Sequence, residues 1–140
     1  MRTEILATAY LKAAENKSYL HGTSLRNAES IVASKTIKAL NGLVWAMPNS
    51  DKNDELVEMF ASAKYYPANL AIVEFTTTVE PTGYKQGALT WDVDVPITNA
   101  KIIKKIDNSE HFAELKKYYE KNAPEKMSDD RMQYAAQDFE

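Results

Sequence analysis

The order of helical and extended patterns along the chain restricts its fold more than any other feature. Apolar residues at helical spacing lie toward the two ends, at 3–16, 109–121 and 128–137. Extended patterns are concentrated in the middle, at 70–78, 88–95 and 100–106. Strands gathered in the middle of a chain are typical of an α+β fold rather than of repeated β–α–β units. We therefore predict one α+β domain over residues 1–140.

Composition and charge narrow the classes of function. The chain has 140 residues, a formal net charge of −3 and no cysteine. Without an excess of lysine and arginine, it lacks the electrostatic signature of broad nucleic-acid binding. His21 and His111 lie far apart in sequence, so we expect no metal site. No apolar run approaches the roughly 20 residues that span a bilayer. We expect a cytoplasmic protein without a membrane partner.

A strand-to-helix junction carries the most suggestive group of side chains. Tyr19–His21 is predicted to form a short buried strand, and the helical pattern that follows extends to about Ser34. Between them, His21, Gly22 and Thr23 bring together an imidazole, a backbone without a side chain and a hydroxyl, which suits a nucleotide ligand. Two structural readings stand beside this one. A lone histidine is more often structural, and Thr23 or Ser24 is suited to cap the helix.

Two later segments add aromatic side chains. Leu43–Met47 is an apolar run of strand length that contains Trp45, although a tryptophan on such a strand more often belongs to the core. A helix is predicted over 54–66, and Ser62 and Tyr65 lie three residues apart on one of its faces. Its predicted inner stripe consists of Leu56, Met59, Phe60 and Ala63.

The order of these patterns resembles the ADP-ribosyltransferase superfamily. His21-Gly22-Thr23 opening a helix, then Gly42–Ala46, then Ser62–Tyr65, is most similar to its His-Gly-Thr branch, which includes the poly(ADP-ribose) polymerases and small bacterial and phage enzymes. The resemblance covers about residues 19–106. It implies a mixed or antiparallel β core with flanking helices, to which the helices at 3–16 and 109–137 are peripheral.

The resemblance also implies roles for individual residues toward NAD, the substrate of that family. His21 would hold a ribose hydroxyl, and Thr23 belongs to the same motif. The Gly22 backbone would bind the nicotinamide carboxamide, with Ser62 beside the ring. Tyr65 and Trp45 would stack on the nicotinamide, and no metal is needed.

The family's catalytic acid matches less well. The segment 89–96 resembles the strand that presents it, and the matching position holds Asp92 rather than the usual Glu. Thr90, Asp92 and Asp94 are predicted to share one face of an extended strand. Three further acids remain alternatives to Asp92, namely Glu74, Glu80 and Asp94.

The function implied is NAD-dependent mono-ADP-ribosylation in the cytoplasm, with a macromolecular acceptor that is a protein rather than a nucleic acid. The change from Glu to Asp favours an alternative, a catalytically inactive NAD- or ADP-ribose-binding module or a protein-binding inhibitor. RNA 2′-phosphotransferases resemble the chain in their His-Gly pair. They carry Arg where this chain has Leu20, which argues against that function.

Overall fold

A six-stranded antiparallel sheet forms the middle of the computed structural model, which describes residues 18–39, 42–50, 53–85 and 87–139. The six strands, numbered along the chain, are β1 Ser18–Ser24, β3 Val44–Pro48, β4 Leu70–Thr76, β5 Gly83–Lys85, β6 Ala88–Trp91 and β8 Thr98–Ile106. Their order in the sheet is β5-β6-β3-β1-β4-β8. A separate two-stranded ribbon pairs β2, Thr36–Ile37, with β7, Val95–Pro96.

Four α-helices accompany the strands in the described part of the chain. They are α1 Leu25–Ser34, α2 Asn53–Tyr65, α3 Ser109–Asn122 and α4 Asp130–Phe139. A short 3₁₀ turn, Pro124–Ser128, connects α3 to α4. Helix α1 follows β1 directly because Ser24 caps it, accepting the Asn27 N–H at 3.2 Å.

Two apolar clusters lie on opposite faces of the sheet. One packs α1 against the sheet and includes Trp91, Phe75 and Tyr19. The other packs α2 against the sheet and includes Leu20 and Met47. Consecutive residues of β4 are therefore buried on both faces, from Leu70 to Val73. A third cluster joins α3 and α4 to the turn that follows α2, through Phe112, Met132, Ala135 and Ala68.

The predicted α+β class is confirmed, and most predicted elements are present within one to four residues of their predicted ends. The helix predicted over 3–16 lies outside the described residues. Two details are wrong. The extended stretch 88–95 is not one strand, since β6 ends at Trp91 and a bend follows. The inner stripe of α2 is wrong except at Phe60, which packs against the second cluster, because the helix buries Val57 and Ala61 and exposes Leu56, Met59 and Ala63.

Candidate functional site

A cleft of about 230 Å³ opens where β1 and β3 separate. The two strands pair only at Tyr19 with Pro48 and at Leu20 with Met47. Beyond Leu20, α1, β2 and the end of α2 form the other walls. We call this space the β1–β3 cleft; its lining includes His21, Thr23, Asn27, Ser30, Ser34, Thr36, Lys38, Leu43, Trp45, Lys64 and Tyr65.

The backbone of Gly22 faces this cleft. Ser18 C=O accepts the Asn49 N–H, so the peptide groups of Ser18 point toward β3. Strand residues direct their N–H and C=O to alternate sides, and β1 pairs continuously with β4. The N–H and C=O of Gly22 therefore point toward the β3 side, past the last residue of β1 that pairs with β3.

The His21 side chain bridges the gap between the strands. Continued pairing would place Trp45 opposite Gly22, but the His21 ring nitrogen Nδ1 hydrogen-bonds the Trp45 C=O at 2.6 Å instead. The carbonyl can only accept, so Nδ1 carries the proton and Nε2 is an acceptor. The pKa of His21 is lowered from 6.5 to about 4: burial has the largest effect and lowers it, the hydrogen bond to Trp45 raises it, and the positive charge of Lys64 lowers it. The imidazole is therefore neutral at pH 7.

Aromatic rings line the cleft on two sides. The Trp45 ring lies 5.1 Å from the His21 ring and 5.4 Å from the Phe60 ring, measured between centroids. Tyr65 is the last residue of α2, and its hydroxyl accepts the Asn27 amide at 3.4 Å. The same Asn27 amide nitrogen lies 3.4 Å from the Thr23 hydroxyl. From the first turn of α1, Asn27 thus contacts two of the predicted site residues, Thr23 and Tyr65.

A second cavity of about 250 Å³ adjoins the first. It shares Leu43 and Trp45 with the cleft, so we call it the side cavity; the rest of its lining is Phe60, Lys85, Ala88 and Thr90. Thr90 lies directly opposite Trp45 in the pairing of β3 with β6, and it is buried. Strand alternation predicted that Thr90 shares a face with Asp92, but its place opposite Trp45 depends on the register between distant strands.

The charges of the β1–β3 cleft are positive. Lys38 and Lys64 contribute to its lining, and no carboxylate does so among the described residues. Over the same part of the chain, no group of three or more His, Cys, Asp or Glu side chains is arranged to hold a metal ion. No described helix is both long and apolar enough to cross a membrane.

Four of the predicted site residues, His21, Thr23, Trp45 and Tyr65, line the cleft, and the peptide groups of Gly22 point toward it. Ser62 lies apart from them, since it lines a shallow depression on α2 with Glu55, Glu58, Met59 and Ala63. A three-residue spacing is compatible with one helix face, but the cleft meets only the last two residues of α2, Lys64 and Tyr65. Asn27, Lys38 and Lys64 line the cleft and were missed by sequence analysis.

None of the four candidate acids lines either cavity. Asp92 is exposed in the bend after β6, where its N–H donates to the Thr82 hydroxyl at 3.1 Å. Asp94 accepts the Ala39 N–H at 2.8 Å, and Glu74 pairs with Lys101 at 3.5 Å. Glu80 is exposed in the loop after β4.

No family model, curated protein or solved structure matches this chain. The candidate function therefore rests on the residues of the two cavities and on the resemblance in the order of the motifs.

Proposed function

We propose that the β1–β3 cleft binds NAD and that the protein transfers its ADP-ribose to a macromolecule with release of nicotinamide. The observation that carries the binding step is the edge of β1 at Gly22, with which no described residue of β3 pairs. A carboxamide offers one N–H and one C=O on adjacent atoms, which is the hydrogen-bonding pattern of a neighbouring strand. The nicotinamide carboxamide would thus take the place that Trp45 leaves empty.

The remaining lining suits the other parts of NAD. Trp45 and Tyr65 present aromatic surface on which a pyridinium ring can stack. The neutral His21 offers Nε2 as an acceptor for a ribose hydroxyl. Lys38 and Lys64 supply positive charge for the pyrophosphate. We propose these roles for all four side chains.

Transfer breaks the bond between nicotinamide N1 and ribose C1′, and the bonding electrons leave with nicotinamide. Positive charge then develops on the ribose, and a carboxylate nearby stabilises it. The acceptor's nucleophilic atom bonds to C1′ and gives its proton to the same carboxylate, which acts as the base. We propose Asp92 for the carboxylate, because it follows Thr90 of the side cavity by two residues. This role requires the Asp92 side chain to turn inward when NAD binds.

The acceptor we propose is a protein. Its contact surface would adjoin the side cavity, which opens beside Trp45 and Thr90. A nucleic acid is the less favoured acceptor because the whole chain carries a net charge of −3. Since NAD is an intracellular metabolite, we propose that the reaction takes place in the cytoplasm.

A second candidate is a module that binds NAD or ADP-ribose without turnover. One observation favours it: no carboxylate of the described residues lines the cleft or the side cavity. Binding needs only the Gly22 edge, the aromatic rings and the lysines. Nicotinamide release needs stabilisation of a cation as well.

Incubation with NAD labelled in its adenylate half, together with measurement of released nicotinamide, separates the two candidates. We expect saturable release by the wild-type protein, its loss in His21→Ala, and its loss with retained NAD binding in Asp92→Asn. Saturable binding with no release supports the binding module. Absence of binding contradicts both. Full activity in Asp92→Asn would exclude Asp92 as the catalytic acid, whereas transfer of ADP-ribose from NAD would remain the proposed reaction.

A further inference from the structure

The C-terminal helix α4 reaches the wall of the β1–β3 cleft through one side chain, Tyr134. Its hydroxyl lies 2.7 Å from the Ser24 hydroxyl, across 110 residues of sequence. Ser24 is the residue that caps α1, immediately after the Thr23 of the cleft. This hydrogen bond therefore fastens α4 to the strand-to-helix junction.

The Tyr134 ring contacts the cleft residue Tyr65. The two ring centroids lie 5.8 Å apart with an interplanar angle of 44°, within the range of favourable aromatic pairs. The Tyr65 hydroxyl also accepts a hydrogen bond of 3.4 Å from Asn27, and Lys64 Nζ lies 5.4 Å from the centroid of its ring. Tyr65 is the last residue of α2, and the last carbonyl groups of a helix lack hydrogen-bond partners within the helix. Contacts from other elements therefore matter more for its position.

Tyr134 is itself held in place by Arg26. The guanidinium carbon of Arg26 lies 4.5 Å from the Tyr134 ring centroid, a cation–π geometry. Arg26 also pairs with Asp138 at 3.6 Å and donates to the Gln137 side chain at 3.0 Å. The last turn of α4 thus holds the arginine that lies over the tyrosine.

Helix α4 also packs against the rest of the protein through its buried side chains. The buried residues of this helix are Met132 and Ala135, which pack in the third cluster with Phe112 and Ala68. Tyr134 is half-buried and also packs against this cluster, but its hydrogen bond, cation–π contact and ring pair are with residues at the ends of β1, α1 and α2. Met132 and Ala135, which are more deeply buried than Tyr134, contribute to this packing independently of the cleft.

We propose that Tyr134 is a positioning residue, which holds the Tyr65 ring at the angle from which it stacks on the nicotinamide of NAD. This role rests on the proposed function of the cleft. It gives the C-terminal helix, which lies outside the resemblance to ADP-ribosyltransferases, a part in ligand binding. Tyr134 does not touch the ligand and acts through Tyr65.

The test compares three variants by calorimetric titration with NAD. Tyr134→Leu removes the ring and should weaken NAD binding about tenfold, whereas Tyr134→Phe keeps the ring and should stay within about threefold of wild type. Tyr119→Leu is the matched control, because Tyr119 packs in the same third cluster without contacting the cleft. We expect it to lower thermal stability and leave NAD affinity unchanged.

A double-mutant cycle separates positioning from general loosening. If Tyr134 acts through Tyr65, then Tyr134→Leu has little further effect on NAD affinity in a Tyr65→Ala background. The proposal would be overturned if the losses of NAD affinity in Tyr134→Leu and Tyr65→Ala multiply in the double variant. An equal loss of NAD affinity in Tyr119→Leu would also overturn it.

The inference can also be tested without ligand, should the wild-type protein fail to bind NAD. With ¹³C-labelled tyrosine, Tyr134→Leu should shift the ring resonances of Tyr65, and Tyr119→Leu should not. Unchanged Tyr65 resonances in Tyr134→Leu contradict the positioning role. Absence of NAD binding by wild type contradicts the proposed function, and with it the nicotinamide-stacking part of this inference.

Discussion

At the scale of single residues, Gly22 meets two separate demands. A Cβ at this position would lie 2.5 Å from the Val57 carbonyl oxygen and 2.6 Å from the Val57 side chain, so packing against α2 already requires glycine. The same residue directs its peptide groups toward the β1–β3 cleft. A glycine in a nucleotide motif is thus explained here by helix packing as well as by ligand access.

Gly22→Ala should destabilise the protein whether or not NAD is present. The added methyl group meets backbone oxygen, which cannot rotate away, so α2 must shift. We expect a loss of about 1–3 kcal/mol in the free energy of unfolding, measured by urea titration. Ser62→Ala, on the outer depression of α2, serves as the control and should leave the midpoint unchanged. An unaltered midpoint in Gly22→Ala would show that β1 and α2 are not packed this closely.

His21 should make stability depend on pH in a definite direction. Its pKa is about 4 in the folded protein and 6.5 as the ordinary value, so the unfolded chain binds more protons between these pH values. The stabilisation from the neutral ring is complete above about pH 6.5 and is lost as pH falls through 4. The shift corresponds to a contribution on the order of 3 kcal/mol.

Unfolding free energies of wild type and His21→Asn, measured between pH 4 and 7.5, isolate this contribution. The difference between the two proteins should shrink as the pH falls from 6.5 toward 4. A difference that is constant over this range would mean that the imidazole is not buried in its neutral form. NAD affinity of the wild type should also decline below about pH 5, as Nε2 gains a proton.

At the scale of elements, the end of β6 decides which side chain faces Trp45. The sequence predicted a longer strand with Asp92 on the site face, but the strand stops at Trp91 and the inward position belongs to Thr90. Strand ends depend on pairing partners, and here the chain leaves β6 to pair Val95–Pro96 with Thr36–Ile37. The alternation of residues within 88–95 does not indicate that the segment pairs with Thr36–Ile37.

Thr90→Glu should therefore increase nicotinamide release. The substitution brings a carboxylate into the side cavity beside Trp45, where it can stabilise positive charge on the ribose. Thr90→Gln is the control of matching shape without charge. We expect at least about a tenfold higher release rate for Glu than for Gln, equivalent to about 1.4 kcal/mol. Equal rates, with NAD binding intact, would mean that this strand position does not face the reacting ribose.

Helix α2 shows why the inner face of a helix is hard to predict from hydrophobicity. The larger residues Leu56 and Met59 were predicted to face inward, yet they are 40% and 59% exposed. The helix instead turns the smaller Val57 and Ala61 toward the sheet, because Gly22 allows a close approach there. The local hydrophobic pattern predicted the presence of the helix. Which face of the helix turns inward depended on the contact between Gly22 and Val57, which lie 35 residues apart in sequence.

At the scale of the whole molecule, the charge of the site differs from that of the chain. The protein carries a net charge of −3, whereas the β1–β3 cleft is lined by Lys38 and Lys64 and by no described carboxylate. Sequence order predicted the five motif residues that gather at the cleft. The bond from His21 to Trp45 and the reach of Tyr134 to Ser24 follow from tertiary packing, which no local pattern encodes.

NAD affinity should consequently fall as ionic strength rises. Screening weakens the attraction between lysine and pyrophosphate, so we expect a several-fold higher dissociation constant at about 0.5 M salt than at about 0.02 M. Lys64→Gln should reduce both the affinity and its salt dependence. Lys104→Gln is the control, since Lys104 pairs with Glu58 away from the cleft. An identical salt dependence in Lys64→Gln and wild type would contradict this electrostatic role.

The most direct test of the proposed NAD site is the backbone amide of Gly22. In a ¹H–¹⁵N spectrum recorded during titration with nicotinamide and with NAD, the Gly22 amide should shift saturably with both ligands, since its N–H gains a carboxamide acceptor. The indole resonance of Trp45 should shift with it, while the indole of Trp91, buried in the α1-side cluster, should not. Saturable shifts elsewhere with no change at Gly22, or no shifts at all, would contradict a nicotinamide site between β1 and β3.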